Sequence, residues 1–147
     1  MKTVRIEAPQ TPPNNLPRTL KFTAGLLGFE QEREFVLHPA MPNSPYLWLE
    51  LAGQPGHGFL VISPSCCVPA YAPDIGRPDV ETLSLTSADD AFVLNIVTIG
   101  PRGEATLNLR APLVVNRHTF VGKQCVPANV STFGLHHPIQ TLPAAAA

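Results

Sequence analysis

Ala91-Phe92-Val93-Leu94-Asn95-Ile96-Val97-Thr98-Ile99, followed at once by Gly100-Pro101-Arg102-Gly103, is the stretch on which the fold turns. Phe92, Leu94 and Ile96 alternate with Val93, Asn95 and Val97, the period-two pattern of a β-strand built from β-branched and aromatic residues. The Gly-Pro-Arg-Gly segment turns the chain, and residues 105–109 return beside it. Pro112 then breaks the run. Proline donates no ladder hydrogen bond, so this position requires a bulge or a sheet edge. Residues 113–115 resume, Asn116-Arg117-His118-Thr119 turns, and residues 120–126 come back again.

Working outward toward the N-terminus, Tyr46-Leu47-Trp48-Leu49-Glu50-Leu51 places Leu47, Leu49 and Leu51 on one face and Tyr46, Trp48 and Glu50 on the other. Both faces are therefore expected to be covered at least in part. Gly53-Gln54-Pro55-Gly56 leads into Phe59-Leu60-Val61-Ile62, which predicts a hairpin. Residues 34–38 and 19–22 read as further strands, and Gly25-Leu26-Leu27-Gly28 between them reads as a tight turn with two apolar anchors. Residues 78–85, opened by Pro78, predict a helix of one or two turns. The expected fold is mainly all-β: a small, antiparallel, barrel-like single domain with at most one or two short helices. Residues 1–17, with Pro9, Pro12, Pro13 and Pro17, are expected as a flexible arm, residues 18–140 as the domain, and residues 141–147, ending in four alanines, as a disordered tail.

Composition bounds the function. The chain has 147 residues, 44% hydrophobic and 14% charged, enough for one core. No apolar run approaches the roughly 20 residues of a membrane span, and residues 1–15 hold no signal-like stretch, so a cytoplasmic protein is expected. The net charge of −1, with ten basic residues dispersed along the chain, leaves no basic face for direct nucleic-acid binding. Three cysteines, two of them adjacent, do not make a disulfide framework. Seventeen prolines exclude long regular helices.

Chemistry-bearing patterns are weak. Ser63 or Ser65 with His57 and Asp74 could supply a nucleophile, base and acid, but the Gly-x-Ser-x-Gly elbow is missing and turn serines explain the same residues. Cys66 or Cys67 with His57 is a thiol alternative that leaves a small hydrolase as the competing function. His136-His137 point to opposite faces of an extended chain, and no metal-ligand spacing is present, so neither metal nor cofactor is expected. Asn108 and Asn116 sit in or beside apolar strands. They either hydrogen-bond backbone at a bulge and a turn or present a recognition surface. Arg110 and Arg117 are either solvated or clamps for a partner's carboxylates.

The segment Leu107-Asn108-Leu109-Arg110-Ala111-Pro112-Leu113-Val114-Val115-Asn116-Arg117, with Lys123-Gln124 downstream, resembles the signature block of the FliW family of flagellar assembly factors. Gly25-Leu26-Leu27-Gly28-Phe29-Glu30, Glu34-Phe35-Val36-Leu37, Ser44-Pro45-Tyr46, Phe59-Leu60-Val61-Ile62-Ser63-Pro64 and His137-Pro138-Ile139 are similar to further elements of that family, in order, from residue 20 to residue 139. The resemblance implies a non-enzymatic β-barrel that binds newly made flagellin in the manner of a chaperone. It also implies sequestration of CsrA, a dimeric repressor of flagellin translation, with the two partners in competition. It makes Asn108, Arg110, Asn116 and Arg117, with Glu30 and Asp74 as acidic contacts, the candidate partner-binding residues. The chain departs from the family pattern in its near-neutral charge, which gives little steering toward a basic partner. It departs again at Cys66-Cys67, where bulky apolar residues are expected.

Overall fold

In the computed structural model, residues 3–7 and 11–139 are described. The strands are β1 (Val4–Arg5), β2 (Arg18–Phe22), β3 (Glu34–Pro39), β4 (Leu47–Leu51), β5 (Gly58–Ile62), β6 (Asp74–Ile75), β7 (Ala91–Ile99), β8 (Ala105–Leu107), β9 (Leu113–Asn116), β10 (Val121–Gln124) and β11 (His137–Pro138). One short helix, α1 (Arg77–Thr82), lies between β6 and β7.

Seven of these strands close into a barrel in the order β7, β5, β4, β3, β2, β10, β9 and back to β7. The expected antiparallel pairing holds around the ring except between β2 and β10, which run parallel with Val121 beside Lys21. Parity accounts for the exception. A closed ring of strictly alternating strands needs an even number, so with seven at least one neighbouring pair must be parallel. Closure leaves the ring without open edges. The long β7 serves three neighbours. Its first half pairs with β9, Ile96 and Asn95 face β5, and Val97–Ile99 extend out to β8, which β11 covers in turn.

The alternation read from the sequence sorts two cores. Phe92 and Leu94 of β7, with Leu20, Phe22, Phe35, Leu37, Leu49, Leu51, Leu113 and Val115, fill the barrel. Ala91, Val93 and Val97 point the other way, into an outer core shared with Ile62, Tyr71, Ile75, Val80, Leu83 and Leu85. Both faces of β7 are apolar because α1 and the 64–76 connection lie over that side of the barrel. Pro112 falls just before β9, where its carbonyl accepts the Cys125 N–H at 2.9 Å and no strand N–H is demanded of it.

The helix is shorter than the expected 78–85. Ser84 takes φ +56, the Ser84 N–H donates to the Glu81 carbonyl at 3.2 Å, and the Leu85 N–H donates to the Val80 carbonyl at 3.0 Å. This is a Schellman ending with serine in the left-handed position. It turns Leu83 and Leu85 into the outer core although neither continues the helix.

The expected flexible arm over 1–17 is not free at residues 3–7. β1 pairs antiparallel with β6, and Ile6 is 1% exposed, so three residues of extended chain complete the outer core. Residue 140 of the expected domain and the expected tail 141–147 lie outside the described residues.

Candidate functional site

The asparagine and arginine block separates into internal and exposed members. Asn116 is 4% exposed. Its amide nitrogen donates to the Leu83 carbonyl at 2.8 Å, and its amide oxygen accepts the His118 and Thr119 N–H groups at 2.8 and 3.2 Å. It therefore ties the β9–β10 turn to the end of α1. Asn108 accepts the Arg110 N–H at 3.0 Å through its side chain, and its carbonyl takes the amide of the fully buried Asn95 at 2.8 Å. The Arg117 guanidinium lies 5.9 Å from the centre of the Phe92 ring. The Arg117 N–H donates to the Asp90 carbonyl at 2.8 Å, and Nη2 reaches the carbonyls of Thr11 and Ala91 at 3.4 Å. Of the two alternatives open for the asparagines, Asn108 and Asn116 make internal bonds, while Arg117 is half-buried, with Nη2 on backbone carbonyls and Nε without a hydrogen-bond partner among the described residues. Arg110 is exposed.

A second network stands beside Arg117. The Asp90 carboxylate accepts the Thr86 hydroxyl at 2.6 Å, the Thr86 and Ser87 N–H groups at 2.9 and 3.1 Å, and lies 3.1 Å from His118 Nε2. These bonds, the Thr86 hydroxyl foremost, hold its pKa well below the usual carboxylate range. The sequence reading did not single out Asp90; Thr86 and Ser87 lie within four residues of it, and only His118 is brought in by the fold from 28 positions away.

Glu30 belongs to a different surface. Gly25 takes φ +66, and a Cβ there would lie 2.6 Å from the Phe29 carbonyl, so only glycine fits. The next turn, Leu26 to Phe29, closes with the Phe29 N–H on the Leu26 carbonyl at 2.6 Å and needs φ +85 at Gly28. Leu26 points into the barrel at 2% exposed, whereas Leu27 points outward at 81%. The turn is pinned from outside. Gln124 Oε1 accepts the Leu27 N–H at 2.8 Å, and Glu30 Oε2 accepts the Gly28 N–H at 3.0 Å. The Arg33 guanidinium donates to the Glu30 carbonyl. The Gly28 N–H lowers the Glu30 pKa and keeps it ionised. Phe29 meets Phe59 edge-on, ring centres 5.1 Å apart. Beside the turn runs an open cleft of about 280 Å³, lined by Leu26, Leu27, Glu30, Lys123, Gln124 and Val126. Val126 is 66% exposed, and Lys123 is fixed by Asp79 at 2.7 Å. The result is a rigid aliphatic tip and wall with a carboxylate at the rim, the composition of a protein-docking patch.

Asp74 is committed elsewhere. Arg5 holds its carboxylate through Nε at 2.6 Å and Nη2 at 2.9 Å, and this pairing lowers its pKa. It is thus bound to Arg5 and not available as the acid of a Ser63/Ser65–His57 triad. Ser63 Oγ and Ser65 Oγ lie 3.0 Å from each other. Burial pushes the Cys66 and Cys67 thiols up, opposite to what an activated nucleophile needs. Among the described residues no group of three or more His, Cys, Asp or Glu gathers as metal ligands, and no helix is long and apolar enough to cross a membrane.

Comparison with known proteins adds to this geometry. A family model described as FliW protein matches residues 2–139. The flagellar assembly factor FliW of Leptospira biflexa is 38% identical over 110 residues, covering 73% of this chain and 71% of the relative. That of Bacillus subtilis is 33% identical over 119 residues, covering 80% and 82%. A crystal structure of the flagellar assembly factor FliW superposes with a TM-score of 0.75 at 27% identity, covering 95% of this chain and 97% of the other. The ordered motifs, the closed seven-stranded barrel and these matches agree, and the chain belongs to the FliW family of flagellar assembly factors.

Proposed function

We propose that this flagellar assembly factor acts in the cytoplasm by binding alone, holding flagellin and the translational repressor CsrA as competing partners. Newly made flagellin occupies the protein and leaves CsrA free to repress flagellin translation. Export of flagellin frees the protein to capture CsrA, and translation resumes. Competition by mass action suffices for such a cycle and asks for no catalytic group. If CsrA is captured away from its RNA groove, the coupling is reciprocal, and bound RNA weakens capture by the same factor.

The observation that carries the reading is the outward Leu27 beside the ionised Glu30, on a barrel whose Asn108 and Asn116 side chains are spent on internal bonds. An aliphatic anchor held in place before binding loses little entropy when a partner covers it. We place the contact on Leu27, Val126 and Glu30, with Arg110 as a further exposed candidate. Calorimetric titration with flagellin and with CsrA from the same cell tests the proposal. Each partner should bind with a Kd of about micromolar or tighter, and each should displace the other. No heat with either partner removes the proposal, and simultaneous binding without displacement removes the competition.

A further inference from the structure

The two-stranded sheet outside the barrel has the construction of a peptide-binding slot already holding a ligand. β6 offers one edge to β1, with Val4 opposite Ile75 and Arg5 opposite Asp74. The Ile6 N–H adds a bond to the Pro73 carbonyl at 3.0 Å. Alternate side chains do different work. Ile6 enters the outer core that also holds Tyr71 and Ile75, Val4 packs partly against it, and Arg5 between them makes its two bonds to Asp74. Backbone pairing along an edge, with side-chain recesses at every second residue, is how strand addition recognises an extended peptide.

The slot's own backbone is held by bonds that do not involve β1. From the far side, the Ala128 N–H donates to the Asp74 carbonyl at 2.7 Å. Asn129 Oδ1 accepts the Asp74 N–H at 2.9 Å, and Asn129 Nδ2 donates to the Ala72 carbonyl at 3.0 Å. The barrel closes without β1, whose pairing is two residues long. The Asp74 side chain remains 19% exposed at the slot's rim.

We propose that the β6 edge and the recess under Ile6 form a strand-docking site for an extended partner segment in which a basic residue stands between two aliphatic ones, with residues 4–6 as its competitor in cis. The seated segment Val4-Arg5-Ile6 itself defines that ligand chemistry. The cis segment competes at the high effective concentration of a tethered ligand, so an incoming strand binds only the fraction of molecules in which the slot is open. This site uses none of the residues of the Leu27 turn and stands whether or not flagellin and CsrA are the partners.

A fluorescent synthetic peptide of residues 3–7 tests it by anisotropy on the full chain. Ile6→Asp empties the recess, and the peptide should bind that variant saturably, about tenfold or more tighter than it binds the wild type. Adding Asp74→Arg should abolish this binding and transfer it to a peptide with glutamate in place of its arginine. No saturable binding to a folded Ile6→Asp chain overturns the proposal. So does a concentration-dependent dimer of the wild type without peptide binding, which would make the slot a contact between copies only. Should Ile6→Asp fail to fold, hydrogen exchange on the wild type decides. The Ile6 amide should exchange about a hundredfold or more faster than the amides of β7, because the slot opens without unfolding the barrel. Equal protection of the two overturns the proposal.

Discussion

Replacing Asn116 by alanine separates a structural role from a binding role. The side chain is 4% exposed and makes three bonds: one to the Leu83 carbonyl at the end of α1 and two from the turn amides of His118 and Thr119. Leu83 is 1% exposed, so its carbonyl would lose its donor in a place where water does not readily replace it, at about 1–3 kcal/mol. His118 and Thr119 are exposed, so their amides can turn to solvent, and each lost bond costs about 0.5–1 kcal/mol. Asn116→Ala should therefore destabilise the protein by about 2–5 kcal/mol, lowering Tm by roughly 10 °C in a chain of this size. Asn116→Asp keeps the acceptor for both amides but turns a second oxygen toward the Leu83 carbonyl, so it should lose as much or more. Urea unfolding followed through the single tryptophan, Trp48, measures both variants. Affinity per folded molecule for flagellin or CsrA should not change. A loss below about 0.5 kcal/mol, or retained stability with collapsed affinity, would refute the assignment of Asn116 to the interior and make it a contact.

The remaining predictions concern the surface, the acid response and the thiols. Leu27→Asp should leave stability within about 0.5 kcal/mol and weaken binding of flagellin or CsrA about tenfold or more; unchanged calorimetric affinities would clear Leu27 of any role. Asp90 has a folded pKa below its unfolded value of about 3.9, so its contribution is present above that pH and is lost as the pH falls further. Asp90→Asn should accordingly be less stable than wild type at pH 6, with the gap in urea midpoints narrowing only below about pH 4; a gap that does not vary with pH would contradict the network. Cys125, buried with its thiol pushed up, should resist a thiol reagent until global unfolding, and Cys66 should react more slowly than a free cysteine at neutral pH. Rapid burst labelling of Cys66 would reopen the nucleophile reading.

What the sequence disclosed follows from what has a period. The strand at residues 91–99, the hairpin at 46–62 and the break at Pro112 were legible because alternation and turn residues are local signals. The parallel β2–β10 contact was not, since it follows from the strand count of the closed ring and from no property of residues 19–22 or 121–124. β1 was hidden for a different reason. Val4-Arg5-Ile6 is three residues long and is followed by a proline-rich stretch, too short for a pattern, and only the recess beside β6 gives it a fixed place. At the turn after β2, the two glycines announced a tight bend and both leucines read as anchors. The bend then sent Leu26 inward and Leu27 outward, a division that composition could not foresee because a turn imposes no repeat.

The polar residues of this barrel show why a signature block and a contact surface need not coincide. An asparagine in an apolar strand looks like recognition because burial without partners would be costly. Yet that same cost drives such a side chain to bond within its own chain whenever an unpaired carbonyl or amide is near, as Asn116 does with Leu83 and Asn108 with Arg110. A bond already made inside is not available to a partner, so the block that identifies the family specifies the turn geometry. On the proposed reading, recognition falls to exposed groups: the outward Leu27 on its glycine-bounded turn, and the ionised Glu30 held beside it by the Gly28 N–H. With a net charge of −1, long-range attraction adds little to encounter, so the proposed contact must discriminate between partners by short-range fit at that tip.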